Sequence, residues 1–165
     1  MTMLVGKGRA ARMIALISTG LTFVASIWLY GLYFAYSLQS GGIQFESYLP
    51  FIPRIGSTLR IGVDGISLPM VILNTFLCFL VVLISWKLEL RPQLYFVLVQ
   101  FLESAVTGVF VSLDLFVFFL FWELELAPMF LLIGIWGSAR REYAAMKFII
   151  YTISGSAFKI GRAHV

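Results

Sequence analysis

Three carboxylates stand where an apolar sequence has little reason to keep them. Glu103, Glu123 and Glu125 lie inside long runs of Leu, Val, Ile and Phe, and two of them share the stretch "FWELELAPMF", residues 121–130, with Pro128. An ionised side chain near the centre of a bilayer costs from about 2.5 kcal/mol upward, so it turns toward the protein interior or toward water. Pro128 has no N–H and leaves the carbonyl of Leu124 without its helical partner. A freed carbonyl beside an acid is a place for ordered water. Burial favours the neutral form of a carboxyl and a nearby ammonium favours the ionised form. Water, a buried acid and a movable cation are together the parts of a proton relay. The same acids can also serve as hydrogen-bonding struts between helices.

The elements that must hold these residues are membrane helices. The chain has 165 residues, 61% hydrophobic and 12% charged, against about 25% charged in ordinary soluble domains; its mean hydropathy is +0.97. A spanning helix needs about 20 mostly apolar residues. Four stretches qualify: Ile14 to Tyr36, Ile66 to Trp86, Gln93 to Val111 and Leu115 to Trp136. A fifth, 143–158, reads as the start of another span. The fold class is therefore all-α integral membrane, with four predicted transmembrane helices and the start of a fifth. Glu103 lies ten residues before Leu113 and Glu123 ten residues after it. At 1.5 Å per residue both sit about 15 Å from the tight turn joining their helices, near the midplane. Whether they face each other is not fixed by depth. Glu123 and Glu125, two residues apart, differ by about 200° around the helix and cannot point the same way. The run "FVFFLFW" suits lipid contact and packing, Trp28, Trp86 and Trp136 suit interface anchors, and Met129 and Met146 suit core filling.

Lys and Arg set the orientation. Lys7, Arg9 and Arg12 form a basic flank over residues 1–13, Lys87 and Arg91 sit between the second and third spans, and Arg140, Arg141 and Lys147 follow the fourth. The alternate connections hold only Arg54 and Arg60. Cytoplasmic connections carry the basic excess, so the N-terminus is expected on the negative side and the loop 37–65 on the positive side. Within that loop "STLRIGV" has the alternation of a small hairpin strand. Asp64 is placed to cap the second helix, and Asp114 is assigned a structural role at the turn before the fourth. The net charge of +4 is spread between apolar runs and not along one stripe, which argues against nucleic acid. One cysteine, Cys78, and one histidine, His164, argue against a haem, zinc or iron–sulfur site made by this chain alone. No signal-peptide cleavage pattern follows the basic flank.

The end of the chain breaks its own pattern. "YAAMKFIIYTISGSAF" should continue apolar but meets Lys159, Arg162 and His164. The string IGRAHV is encoded in one frame of a widely used sequencing-library adapter, where a stop codon follows. Residues 159–165 are therefore expected to be a sequencing artefact, and no role is assigned to His164.

The stretch "GVFVSLDLFVFFLFWELELAPMFLLIGIWGSARREYAAMKFIIYT" resembles the antiporter-like subunit M, or chain 4, family of respiratory NADH:quinone oxidoreductase (complex I). "IGVDGISLPMVIL", "FIPRIG" and "RMIALISTGLTF" resemble other parts of the same family, so the match runs from about Arg12 to Phe158. "WELEL" is also similar to the D-type member of the photosynthetic form of the complex, and related cation/proton antiporter subunits share the FWE-like element.

The resemblance implies a fragment of a fourteen-helix antiporter-like fold, holding the second to fifth helices and the start of the sixth. It implies a non-redox, proton-translocating membrane subunit, inactive as an isolated piece. Glu123 matches the family's functional glutamate, whose lysine partner would come from the seventh helix. Glu103 matches a glutamate present in many members and is a candidate second proton site. Glu125 and Lys147 are weaker candidates, Lys147 reading otherwise as an interfacial anchor. Pro128 is structural. This chain would hold no cofactor, while NADH, FMN, iron–sulfur clusters and a quinone would belong to other subunits. Its partners would be other membrane subunits of complex I, above all the neighbouring antiporter-like ones, together with the lipid bilayer and protons. The membrane would be the bacterial inner membrane, with the thylakoid or mitochondrial inner membrane as alternatives. A sodium/proton antiporter subunit and a purely structural membrane module are the rival readings.

Overall fold

The computed structural model describes the backbone of residues 2–37, 44–52 and 57–162, and the side chains of 8–35, 45–47 and 60–155. The elements follow one another as α1 (Thr2–Ser37), β1 (Gln44–Ile52), β2 (Ser57–Val63), α2 (Ser67–Ile84), a 3-10 turn (Ser85–Lys87), α3 (Pro92–Val111), α4 (Leu115–Trp136) and α5 (Arg141–Arg162). Four helices are long and apolar enough to cross a membrane: Gly8–Ala35, Ser67–Lys87, Pro92–Val111 and Leu115–Trp136. The chain is a multi-pass membrane protein. The basic flank is not a separate element, because α1 begins at Thr2 and runs through it. The doubtful stretch 159–165 has no described side chains, and residues 163–165, His164 among them, lie outside the described residues altogether.

Each helix packs on the next, across the hairpin segment for α1 and α2 and across short links for the others, and α1 packs on α3 as well as α2. The core of that three-helix unit is Ala15, Val82, Phe96 and Val99, with Leu16, Tyr95 and Leu132 against it. Small residues on α1 allow the close approach. Ala15 and Thr19 are fully buried and Ser26 nearly so, as in membrane bundles where packing replaces the hydrophobic effect. α3 and α4 close on each other at Gly108, where an added Cβ would collide with the ring of Phe121.

Carboxylates start two of the helices. Asp64 Oδ1 accepts from the backbone N–H groups of Ile66 (2.9 Å) and Ser67 (2.5 Å). Asp114 does the same for Phe116 (2.7 Å) and Val117 (3.3 Å) at the start of α4. Each satisfies N–H groups that the first turn of a helix leaves free. α4 runs helical from end to end through the buried Pro128.

The strands pair antiparallel, with Leu49 opposite Leu59 and Ser47 opposite Ile61. The hairpin is held over the α3–α4 turn by a bridge between Ile61 and Ser112 and by the Leu113 N–H on the Arg60 carbonyl at 2.9 Å. At the other end, Arg12 donates to the Leu88 carbonyl (2.8 Å) and the Trp136 indole donates to the Leu90 carbonyl (2.9 Å). The basic flank, the α2–α3 link and the end of α4 thus meet at one face, opposite the hairpin.

Candidate functional site

Glu103 is the buried acid. Its relative exposure is 6%, while Glu125 is half-buried and Glu123 is exposed. The difference follows from helical spacing. On α3, Gln100, Glu103, Thr107 and Val111 recur at three- and four-residue intervals and line one cavity. On α4, Val117 and Pro128 are buried and Phe121 lines that cavity. Glu125 falls on the same stripe as these three, and Glu123 falls on the far side. The expectation that Glu123 and Glu125 point apart matches this arrangement. Equal depth does not bring Glu103 and Glu123 together: the first enters the α1–α2–α3 interior, and the second lies on a surface that no described helix covers.

The Thr22 hydroxyl on α1 donates to Glu103 Oε1 at 2.6 Å, within the range of a hydroxyl bonded to a carboxylate. Asn74 on α2 donates to the Glu103 backbone carbonyl at 3.2 Å and to Thr107 Oγ1 at 3.1 Å. Gln100 reaches Ser18. Ser26 and Thr75 share a hydrogen bond at 3.0 Å. Around these groups lies a cavity of about 720 Å³. Among the described residues no ion pair reaches Glu103.

Lys147 stands elsewhere. It is an exposed residue of α5, and its ammonium lies 5.8 Å from the Tyr143 ring centre and 5.6 Å from that of Tyr151. One turn to either side, these rings hold the cation by their π faces. Cys78 is buried beside Asn74.

The sequence reading selected the acids and missed the polar groups that surround Glu103. The signal was present: Ser18, Thr22 and Ser26 recur every four residues on one face of an apolar span. Polar residues repeated on one helical face mark an interior face.

In comparison with known proteins, the chain is similar to antiporter-like membrane subunits. Residues 112–159 match the family model described as NADH:quinone oxidoreductase/Mrp antiporter, transmembrane. NAD(P)H-quinone oxidoreductase chain 4 of Prochlorococcus marinus strain MIT 9515 is 37% identical over 93% of this chain. The protein named chain 4 2 from Thermosynechococcus vestitus is 40% identical over 92%. In each case the match spans 28% of the relative's length. A chain in the structure of the membrane-bound sulfane sulfur reductase, an archaeal respiratory membrane complex, shares the fold with a TM-score of 0.62 and 21% identity, over 92% of this chain and 25% of its own. The resemblance read from the sequence holds across nearly the whole chain: it is similar to an antiporter-like chain 4 subunit over about a quarter of that subunit's length.

Proposed function

We propose that this chain is part of a proton-translocating membrane subunit of an NAD(P)H:quinone oxidoreductase. Electrons would pass on other subunits, and this one would convert the energy released into proton movement. The observation that carries the reading is the Glu103 carboxyl, 6% exposed inside a bundle of membrane-spanning helices and bonded to the Thr22 hydroxyl. A buried acid at that depth marks a proton or ion path more often than a packing device. The similarity to chain 4 subunits over 93% of the chain supports the assignment to that assembly.

Glu123 is proposed as the switchable site. It lies on a face of α4 left open by the described helices, and a carboxylate in a membrane span requires a polar partner. The resemblance supplies one, a lysine on another helix of the subunit. Approach of the ammonium would favour release of the proton, and its withdrawal would favour uptake. The test is electron-transfer-driven proton pumping by vesicles carrying the assembled complex with Glu123→Gln. Assembly is expected to persist and pumping to fall strongly.

A structural reading has one observation in its favour. The Thr22–Glu103 bond ties α1 to α3, as a strut would. A strut tolerates Glu103→Gln with pumping intact, because glutamine also accepts a hydrogen bond.

A further inference from the structure

The link between α4 and α5 turns the chain at the face that gathers Arg12, the α2–α3 link and Trp136. α5 then packs back along α4, where a Cβ added at Gly134 would lie 3.8 Å from the Ala145 Cβ. At this corner Ala139, Arg140, Arg141, Glu142 and Tyr143 line a cleft of about 440 Å³. Arg141 is oriented there, because its Nη1 donates to the Ile135 carbonyl at 2.9 Å. The Arg140 guanidinium has no hydrogen-bond or ion-pair partner among the described residues, and Glu142 forms no ion pair among them either. Two guanidinium groups against one carboxylate leave the cleft positive.

One face of α5 continues inward from the cleft. Tyr143, Lys147 and Tyr151 recur every four residues and are exposed, with the ammonium 5.8 Å and 5.6 Å from the two ring centres. Lys147 follows Arg141 by six residues, about 9 Å along the helix. Beside this stripe run Met146, Ile150 and Ile153, apolar and exposed. From the face inward the order is guanidinium groups, then a cation among amphipathic rings, with apolar surface alongside. A phospholipid presents its parts in the matching order: phosphate, glycerol esters, acyl chains.

We propose that this corner between α4 and α5 binds an anionic phospholipid from the leaflet on that face. The Arg140 fork pairs with two phosphate oxygens, as guanidinium groups do, and Arg141 adds a second donor set from the position that Ile135 fixes. Lys147 extends to the glycerol level, its stem against the tyrosine rings, in the way long cationic side chains reach the membrane interface. An acyl chain lies over Met146, Ile150 and Ile153. Three cations against Glu142 favour a lipid of net negative charge over a zwitterionic one, whose own cation they repel. The basic connections mark this as the cytoplasmic face, where basic pockets between helices take anionic headgroups. Free phosphate would fill the cleft and leave the apolar stripe uncovered, so the stripe favours the lipid.

This inference rests on the membrane reading and is independent of proton movement, which its test does not read. The test uses the full-length subunit in its assembled complex, in vesicles of phosphatidylcholine with phosphatidylglycerol as a minor component. A photoreactive phenylalanine analogue replaces Ile150, and mass spectrometry identifies what it captures. Captured phosphatidylglycerol should exceed its share of the bilayer by about fivefold or more. Arg140 has no internal partner to lose, so Arg140→Gln should assemble and lower the enrichment about fivefold, the usual contribution of one basic group beside an anionic headgroup. Arg140→Lys should recover part of it, and Lys147→Gln should give a smaller loss. Excess inorganic phosphate should leave the enrichment unchanged. Capture of both lipids in bilayer proportion, enrichment indifferent to Arg140→Gln, or attachment to protein in place of lipid would overturn the site. Enrichment abolished by inorganic phosphate would assign the cleft to a soluble anion and reject the lipid.

Discussion

Thr22 Oγ1 lies 2.6 Å from Glu103 Oε1, a contact between residues 81 positions apart that joins α1 to α3. Replacing Thr22 by Val keeps the shape of the side chain and removes the donor. Interhelical hydrogen bonds in membranes contribute about 0.6–2 kcal/mol. The Thr22→Val full-length protein is expected to unfold at a lower temperature in detergent by about that free energy, and Thr22→Ser is expected to recover most of it. Equal stability of all three would remove the bond from the account of helix packing.

The α3–α4 contact gives a steric prediction. A Cβ at Gly108 meets the Phe121 ring, so Gly108→Ala should destabilise the pair by about 1–3 kcal/mol, the usual range for overpacking. Phe121→Leu in the same molecule makes room and should return part of the loss. Denaturant unfolding of the single and double variants reads the coupling. Strictly additive losses would contradict the close approach of Gly108 to Phe121.

Asp64 carries a pH dependence outside the spans. The Ser67 backbone N–H holds its carboxyl below the ordinary value of 3.8; burial opposes this, and the Ile66 N–H and the Ser67 hydroxyl lower it further. Because the native value is depressed, the stabilisation is complete above the unfolded value and is lost as pH falls through the native one. Unfolding of the full-length protein followed from pH 6 down to about pH 3 should show this loss. Asp64→Asn should flatten it, and Asp64→Ala should destabilise at neutral pH by about 0.5–2 kcal/mol, as for other helix caps.

Topology offers an independent check. Arg12 and Trp136 both bond the α2–α3 link, which places three basic connections on one face. Reporters fused at the N-terminus and after Arg141 should both be active on the negative side, and one inserted in the hairpin should be active on the positive side. A reporter after Arg141 active only on the positive side would reverse the orientation.

The helices were legible because apolar runs separated by Lys, Arg, Gly and Pro state their limits openly, and Asp64 and Asp114 mark helix starts by type. The reach of α1 into the basic flank was not legible, since Gly8, Arg9 and Arg12 look like a surface tail until packing on the α2–α3 link is known. Depth was legible for Glu103 and Glu123, but the direction each faces depends on which helices pack together. That is why Glu123, ranked first on resemblance, lies on an open face, while Glu103 is enclosed. The Thr22, Asn74 and Thr107 partners come from three different helices, and their convergence is a tertiary fact.

The central claim is that carboxyl groups in this chain move protons. The direct measurement is the number of protons pumped per electron pair by sealed vesicles containing the full-length subunit in its assembled complex, with assembly verified separately. Glu123→Gln preserves volume and hydrogen bonding but cannot ionise, so pumping should fall strongly, and electron transfer with it where coupling is tight. Glu123→Asp should retain part of the activity, with its carboxyl displaced by one methylene. Near-normal pumping in an assembled Glu123→Gln complex would contradict the assignment of Glu123, and near-normal pumping in both that complex and Glu103→Gln would contradict the proposed function of the site.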